Sequence, residues 1–125
     1  MANKFEEKYT IKDENGAGFI QIADDIVAGI AALAAMEVEG VARLSSGAGV
    51  DLATVLGKKN ISKDVKLAFD NNNVKVSISF MAKYGYNLVK VSEEIQEKVK
   101  NSISTMTGLK VSGVDVKVHG IELKD

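Results

Sequence analysis

The sequence predicts an α+β fold, a mixed sheet with two main helices on one face in the order β-α-β-β-β-α-β. Three observations point there. Two segments, Val65–Asp70 and Val74–Phe80, alternate apolar and polar residues with period two. A third, Leu88 to Met106, repeats apolar residues every three or four positions. A fourth, Ile26 to Met36, is apolar throughout and uncharged.

The chain has 125 residues, enough for one domain with its own core. Residues 1–17 mix charge and small polar types without a period and read as a mobile N-terminal arm, with edge pairing around Tyr9 to Lys12. Residues 18–125 read as the single α+β domain. Gly18-Phe19-Ile20-Gln21-Ile22 alternates as a short strand, and Asp24 and Asp25 place negative charge in the first turn of a helix. That helix is expected to run to about Glu39 and to stop at Gly40. Val41 to Leu44 forms the next strand, and Ser45 to Gly49 a loop. Asp51 is placed to cap one or two turns over Leu52 to Leu56, closed by Gly57. Lys58, Lys59 and Lys63 follow in a solvated connection.

The two alternating segments form a hairpin around Asn71, Asn72 and Asn73, residues that tolerate positive φ. Gly85 ends the second strand and Asn87 caps the long helix. Leu88, Val91, Ile95, Val99, Ile103 and Met106 make its buried stripe, and Glu94 and Lys98 stand in the favourable i,i+4 order outside it. Gly108 terminates it. Val111, Val114, Val116 and Val118 form the last strand, whose alternation slips at Ser112-Gly113 as a bulge would make it slip. Each strand–helix–strand unit is expected to cross over right-handed. The second sheet face then carries Lys75, Ser77, Ser79, Asp115, Lys117 and His119, and can face water.

Composition narrows function. The net charge is -1, without the basic excess that draws a protein to phosphate backbones. There is no cysteine, hence no disulfide, thiolate nucleophile or thiolate metal site. The N-terminal residues lack the apolar core of a signal peptide. Ile26 to Met36 is shorter than the about 18–20 residues a spanning helix needs. The single histidine, His119, lies on the wet face beside Asp115 and Lys117, with no serine at a spacing that suggests a nucleophile. Asp70 to Asn73 is oxygen-rich but lacks the ligand spacing, central glycine and distal glutamate of a calcium loop. Asp24, Asp25, Glu37 and Glu39 lie at opposite ends of one helix. Gly47-Ala48-Gly49 and Gly57-Lys58-Lys59 lack the rest of a dinucleotide fingerprint or a phosphate loop. The expectation is a protein with no catalytic, cofactor or metal site.

The first helix remains. Counted at 3.6 residues per turn, Ile22, Ile26, Ile30 and Leu33 form a stripe expected in the core. Ala28, Ala31, Ala32 and Ala35 lie opposite, with no charge among them. Alanine is the best helix former and can stand in water. An uncharged face of small residues also lets another backbone approach closely, which makes this face the candidate for self-association.

The ordered set of segments carries a resemblance. It comprises Gly18 to Ala23 before an apolar helix ending Val38-Glu39-Gly40-Val41, and the Val74–Phe80 strand. Tyr84-Gly85-Tyr86-Asn87-Leu88, Ile95-Gln96 with Val99, and Met106-Thr107-Gly108-Leu109 follow. Val111 and Val114-Asp115-Val116-Lys117-Val118 close it. Over roughly Gly18 to Ile121 this succession resembles the alkaline shock protein family of Gram-positive bacteria, also called the Gls envelope stress response family. Asp64-Val65 departs from the Gly-Val pair that relatives often carry before the hairpin.

The resemblance implies a non-enzymatic cytoplasmic protein of the envelope stress response. It would self-associate as a homo-oligomer and be held near the membrane by a separate anchor protein. It also favours the contact reading of the alanine face. Two alternatives stand beside it. Some relatives are linked to control of fatty-acid synthesis, which makes a regulatory binder of a lipid-synthesis enzyme the first. A small RNA-binding domain is the second, and it is opposed by the acidic balance and the lack of an exposed aromatic pair on the sheet.

Overall fold

In the computed structural model, residues 8–12, 19–44 and 64–123 are described. They form β1 (Lys8–Lys12), β2 (Phe19–Ala23), α1 (Asp24–Met36), β3 (Val41–Leu44), β4 (Val65–Asp70), β5 (Asn73–Lys83), α2 (Leu88–Thr107) and β6 (Lys110–Glu122). The architecture is α+β, and its four-stranded sheet is mixed. The expected loop at Ser45 to Gly49, the turns over Leu52 to Leu56 and the lysines at 58, 59 and 63 lie outside the described residues.

β5 is the strand on which the sheet is built. Along its whole length it pairs in parallel with β6, from Asn73–Lys110 to Lys83–Glu122. Its other edge is shared by two antiparallel partners: β4 along Asn73 to Ile78, and β3 along Phe80 to Ala82. The β4–β5 connection is a two-residue turn, with Asp70 opposite Asn73 and Asn71 at φ 55. Asparagine accepts that left-handed conformation at little cost. The carbonyl of Asn72 also accepts from the N–H of Lys110, so the turn anchors the start of β6.

Period-two alternation sorts β5 as expected. Val74, Val76, Ile78, Phe80 and Ala82 are buried, and the residues between them face the other way. Val65, Leu67 and Phe69 of β4 and Val111, Val114, Val116 and Val118 of β6 stand opposite these buried positions. Both helices cover this face. β6 slips register twice, at Ser112 and at His119. The first is the bulge that the sequence announces. The second removes His119 from the alternation.

α2 follows its sequence pattern closely. The Asn87 side chain accepts from the N–H of Lys90 at 3.0 Å, satisfying one donor of the first turn. Val91, Ile95, Val99 and Ile103 are buried, and Gly108 at φ 77 ends the helix with its N–H on the Ser104 carbonyl. Leu88 is partly buried, but Met106 is 68% exposed and leaves the stripe.

The N-terminal part differs from expectation. β2 does not join the main sheet. It pairs antiparallel with β1, from Lys8–Ala23 to Lys12–Phe19, as a separate two-stranded ribbon. α1 therefore links two different sheets, and among the described residues only β5–α2–β6 is a crossover between parallel strands. The helix stops at Met36, three residues before the expected end. The N–H groups of Glu37 and Val38 reach back three residues, to Ala34 and Ala35, which tightens the last turn.

Gly40 closes that turn at φ 101. A Cβ built there would lie 2.7 Å from Val91 Cγ2 and 3.0 Å from Tyr86 Cδ2. Gly40→Ala is therefore expected to cost roughly 1–3 kcal/mol, from backbone strain and from crowding against α2. Gly108→Ala, also at positive φ but with open space around it, should cost less. Equal urea midpoints for the two variants would remove the crowding contribution.

Candidate interaction surface

The alanine face is not a surface. Ala31, Ala32 and Ala35 are fully buried and Ala28 nearly so, together with Val27, Gly29, Ile30 and Ala34. A helix that is apolar all round belongs in a core, and most of α1 from Val27 to Ala35 is covered. α1 packs against α2, β2, β3 and β4, and small side chains are what let so many elements approach it. The expected stripe of Ile22, Ile26, Ile30 and Leu33 is corrected in the same way. Ile30 is buried and Ile22 and Leu33 are partly so, but Ile26 is 44% exposed. Ile22 belongs to β2, and the backbone turns from extended to helical at Ala23, so helical counting does not carry across.

Exposed apolar side chains gather elsewhere, at the end of the molecule where β5 finishes, β6 finishes and α2 begins. Tyr84 is 70% exposed and Leu123 79%, with Tyr86, Val89 and Ile121 also exposed around them. The parallel pairing brings the two strand ends together. Ala82 stands opposite Ile121, Lys83 opposite Glu122, and the N–H of Tyr84 donates to the Glu122 carbonyl at 3.0 Å. Arg43 of β3 donates through Nε to Oε2 of Glu122 at 2.6 Å, bridging the two neighbours of β5 at the rim of this patch. A half-exposed pair of this kind contributes about 0–1 kcal/mol, so its role is to hold the rim in register rather than to stabilise the fold.

A sequence signal for the patch existed. Tyr84-Gly85-Tyr86 puts two aromatics around a glycine, and Val89 is an apolar residue on the charged side of α2. Ile121 and Leu123 continue β6 beyond its valines.

The second sheet face is polar. Lys75, Asp115 and Lys117 are exposed, Ser77 and Ser79 are partly buried, and Lys75 Nζ lies 3.4 Å from Asp115 Oδ2; His119, expected on this face, is exposed at the second bulge, outside the paired register. Met81 lies over Gly120, where a Cβ would meet its methyl carbon at 3.0 Å. Asp24 and Asp25 open α1, whereas Glu37 and Glu39 lie beyond its other end, where Lys98 of α2 pairs with Glu37 at 3.3 Å. Among the described residues no three histidine, aspartate or glutamate side chains converge as a metal site would require. No helix among them is long and apolar enough to cross a membrane.

Fold and surface together define a small α+β domain whose described surface includes an apolar end and a polar sheet face. The model of the alkaline shock protein 23 family, described as having a cell envelope-related function, matches residues 12–123. The chain belongs to that family, the same type that its sequence resembles.

Three curated proteins are similar to it. The uncharacterized protein YqhY of Bacillus subtilis (strain 168) is 26% identical over 110 residues, covering 88% of this chain and 82% of the relative. The uncharacterized protein Spy1614 of Streptococcus pyogenes serotype M6 is 28% identical over 116 residues, covering 91% and 96%. The uncharacterized protein YloU of Bacillus subtilis (strain 168) is 26% identical over 108 residues, covering 85% and 90%. No solved structure matches the chain.

Proposed function

We propose that this chain serves the cell envelope by binding rather than by chemistry, as a non-enzymatic scaffold that self-associates and docks on a membrane-anchor partner. The observation that carries the reading is the exposed apolar end formed by Tyr84, Tyr86, Val89, Ile121 and Leu123. Tyrosine combines a large apolar body with a polar tip, which suits a surface that is wet when free and covered when bound. Exposed apolar side chains gathered at one end of a fold mark partner sites more often than scattered ones do. The family's envelope-related description supplies the setting.

The double variant Tyr84→Ser/Leu123→Ser tests it. Both side chains are mostly exposed, so the melting midpoint should stay near that of the wild type. In a native lysate the wild-type chain should sediment with membranes through its anchor, and the variant should remain in the supernatant. Equal sedimentation of the two proteins, both folded, would overturn this docking surface.

A further inference from the structure

We infer that β6 pairs edge to edge with β6 of a second copy, antiparallel, about a two-fold axis through Val116. The inference rests on the self-association in the proposed function and gives that association an interface.

One edge of β6 is fully engaged with β5, and among the described residues no strand lies on its other edge. An open edge presents a row of backbone donors and acceptors to any extended partner. Bulges protect edges by bending them, and β6 has two, at Ser112 and His119. Between them the register runs without interruption from Gly113 to Val118, which leaves one regular stretch available.

That stretch contains Val114-Asp115-Val116-Lys117-Val118. Read in reverse, its valines keep their places while aspartate and lysine exchange. Antiparallel pairing about Val116 sets Val114 opposite Val118 of the second copy and Val116 opposite itself. It also sets Asp115 opposite Lys117 twice, once on each side of the axis. The valines stay on the helix-covered face and the charges on the polar face. Opposite charges facing each other across antiparallel strands are favourable, and like charges are not. Axes through Asp115 or Lys117 put like charges opposite each other, and a one-residue slip sends valines to the polar face. Only the axis through Val116 satisfies both patterns. Asp115 already lies near Lys75 on the β5 side, so Lys117 of the second copy would extend an alternating row of charges. Gln96 of α2 donates to the Val114 carbonyl at 2.9 Å, and that oxygen keeps a second lone pair for the partner strand.

Charge reversal tests the register. Asp115→Lys and Lys117→Asp each convert two attractive pairs into two repulsive ones, and both positions are exposed, so folding should be unaffected. By analytical ultracentrifugation each single variant should associate at least roughly tenfold more weakly than the wild type. The double variant Asp115→Lys/Lys117→Asp should recover association. Mixing the two single variants should produce a heterodimer, visible by native mass spectrometry, because each then meets its complement. Wild-type chains that stay monomeric at high concentration overturn the self-association itself. Equal association of all the proteins, or weakened single variants with no rescue by exchange or mixing, leaves that reading standing and removes this interface.

Discussion

Ala31→Glu is expected to unfold the chain. Ala31 is 0% exposed where α1 packs on α2 and the sheet, and all four alanines of that side are enclosed. A carboxylate there must either stay ionised without water or take up a proton, and either course costs several kcal/mol. The added side-chain atoms must also be housed, and overpacking a close-packed core typically costs about 1–3 kcal/mol more. Total stability for a domain of this kind is about 5–15 kcal/mol, so the sum approaches the whole. Circular dichroism and thermal melting decide it. A variant that is folded, with a midpoint near the wild type, would falsify the burial of this helix and return its alanines to the surface.

Ile95→Ala is expected to cost about 2–5 kcal/mol, the range for a large aliphatic side chain removed from a core. Ile95 is fully buried at the middle of the α2 stripe, under the sheet face built by Val76, Ile78 and Phe80. The enclosing strands are tied on both edges of β5, so collapse into the cavity should be limited and the cost should fall in the upper half of that range. Met106→Ala, on the same helix but exposed, should change stability by no more than about 0.5 kcal/mol. Chemical denaturation of the two variants separates them. Similar midpoints would show that the stripe does not face the core.

The contrast between the helices explains what the sequence made legible. α2 carries lysine and glutamate on much of its surface outside the stripe, so its period names its inner face, and the structure agrees at Val91, Ile95, Val99 and Ile103. Met106 departs from the stripe, exposed in the last turn of α2. α1 has no charge beyond its first turn to mark an outside. Counting 3.6 residues per turn puts the isoleucines on one stripe, but with no polar side to oppose it the count does not name an inner face, and close packing against several elements selects the small side chains. On α1 the absence of charge marks burial within the chain. The hairpin, the Asn87 cap and the Ser112 bulge were legible because each rests on local chemistry. The separation of β1 and β2 into their own ribbon was not, since pairing partners are chosen by tertiary contacts that no local pattern encodes. The Tyr84–Leu123 patch had the same difficulty, because it unites residues far apart in sequence through the parallel pairing of β5 and β6.

The place of β5 at the centre of the sheet also dictates an order of assembly. Its hairpin with β4 closes through two residues, and such units form in about 1–10 μs. Its pairing with β6 must wait for all of α2 to be laid down between them, and long-range parallel contacts are reached late because loop closure is costly. In the interval Val74, Val76, Ile78 and Phe80 form an apolar strand with one edge open, the kind of species that captures other chains during folding. The native bond from the N–H of Lys110 to the Asn72 carbonyl ties the start of β6 to the turn of that hairpin, the point from which the parallel register runs.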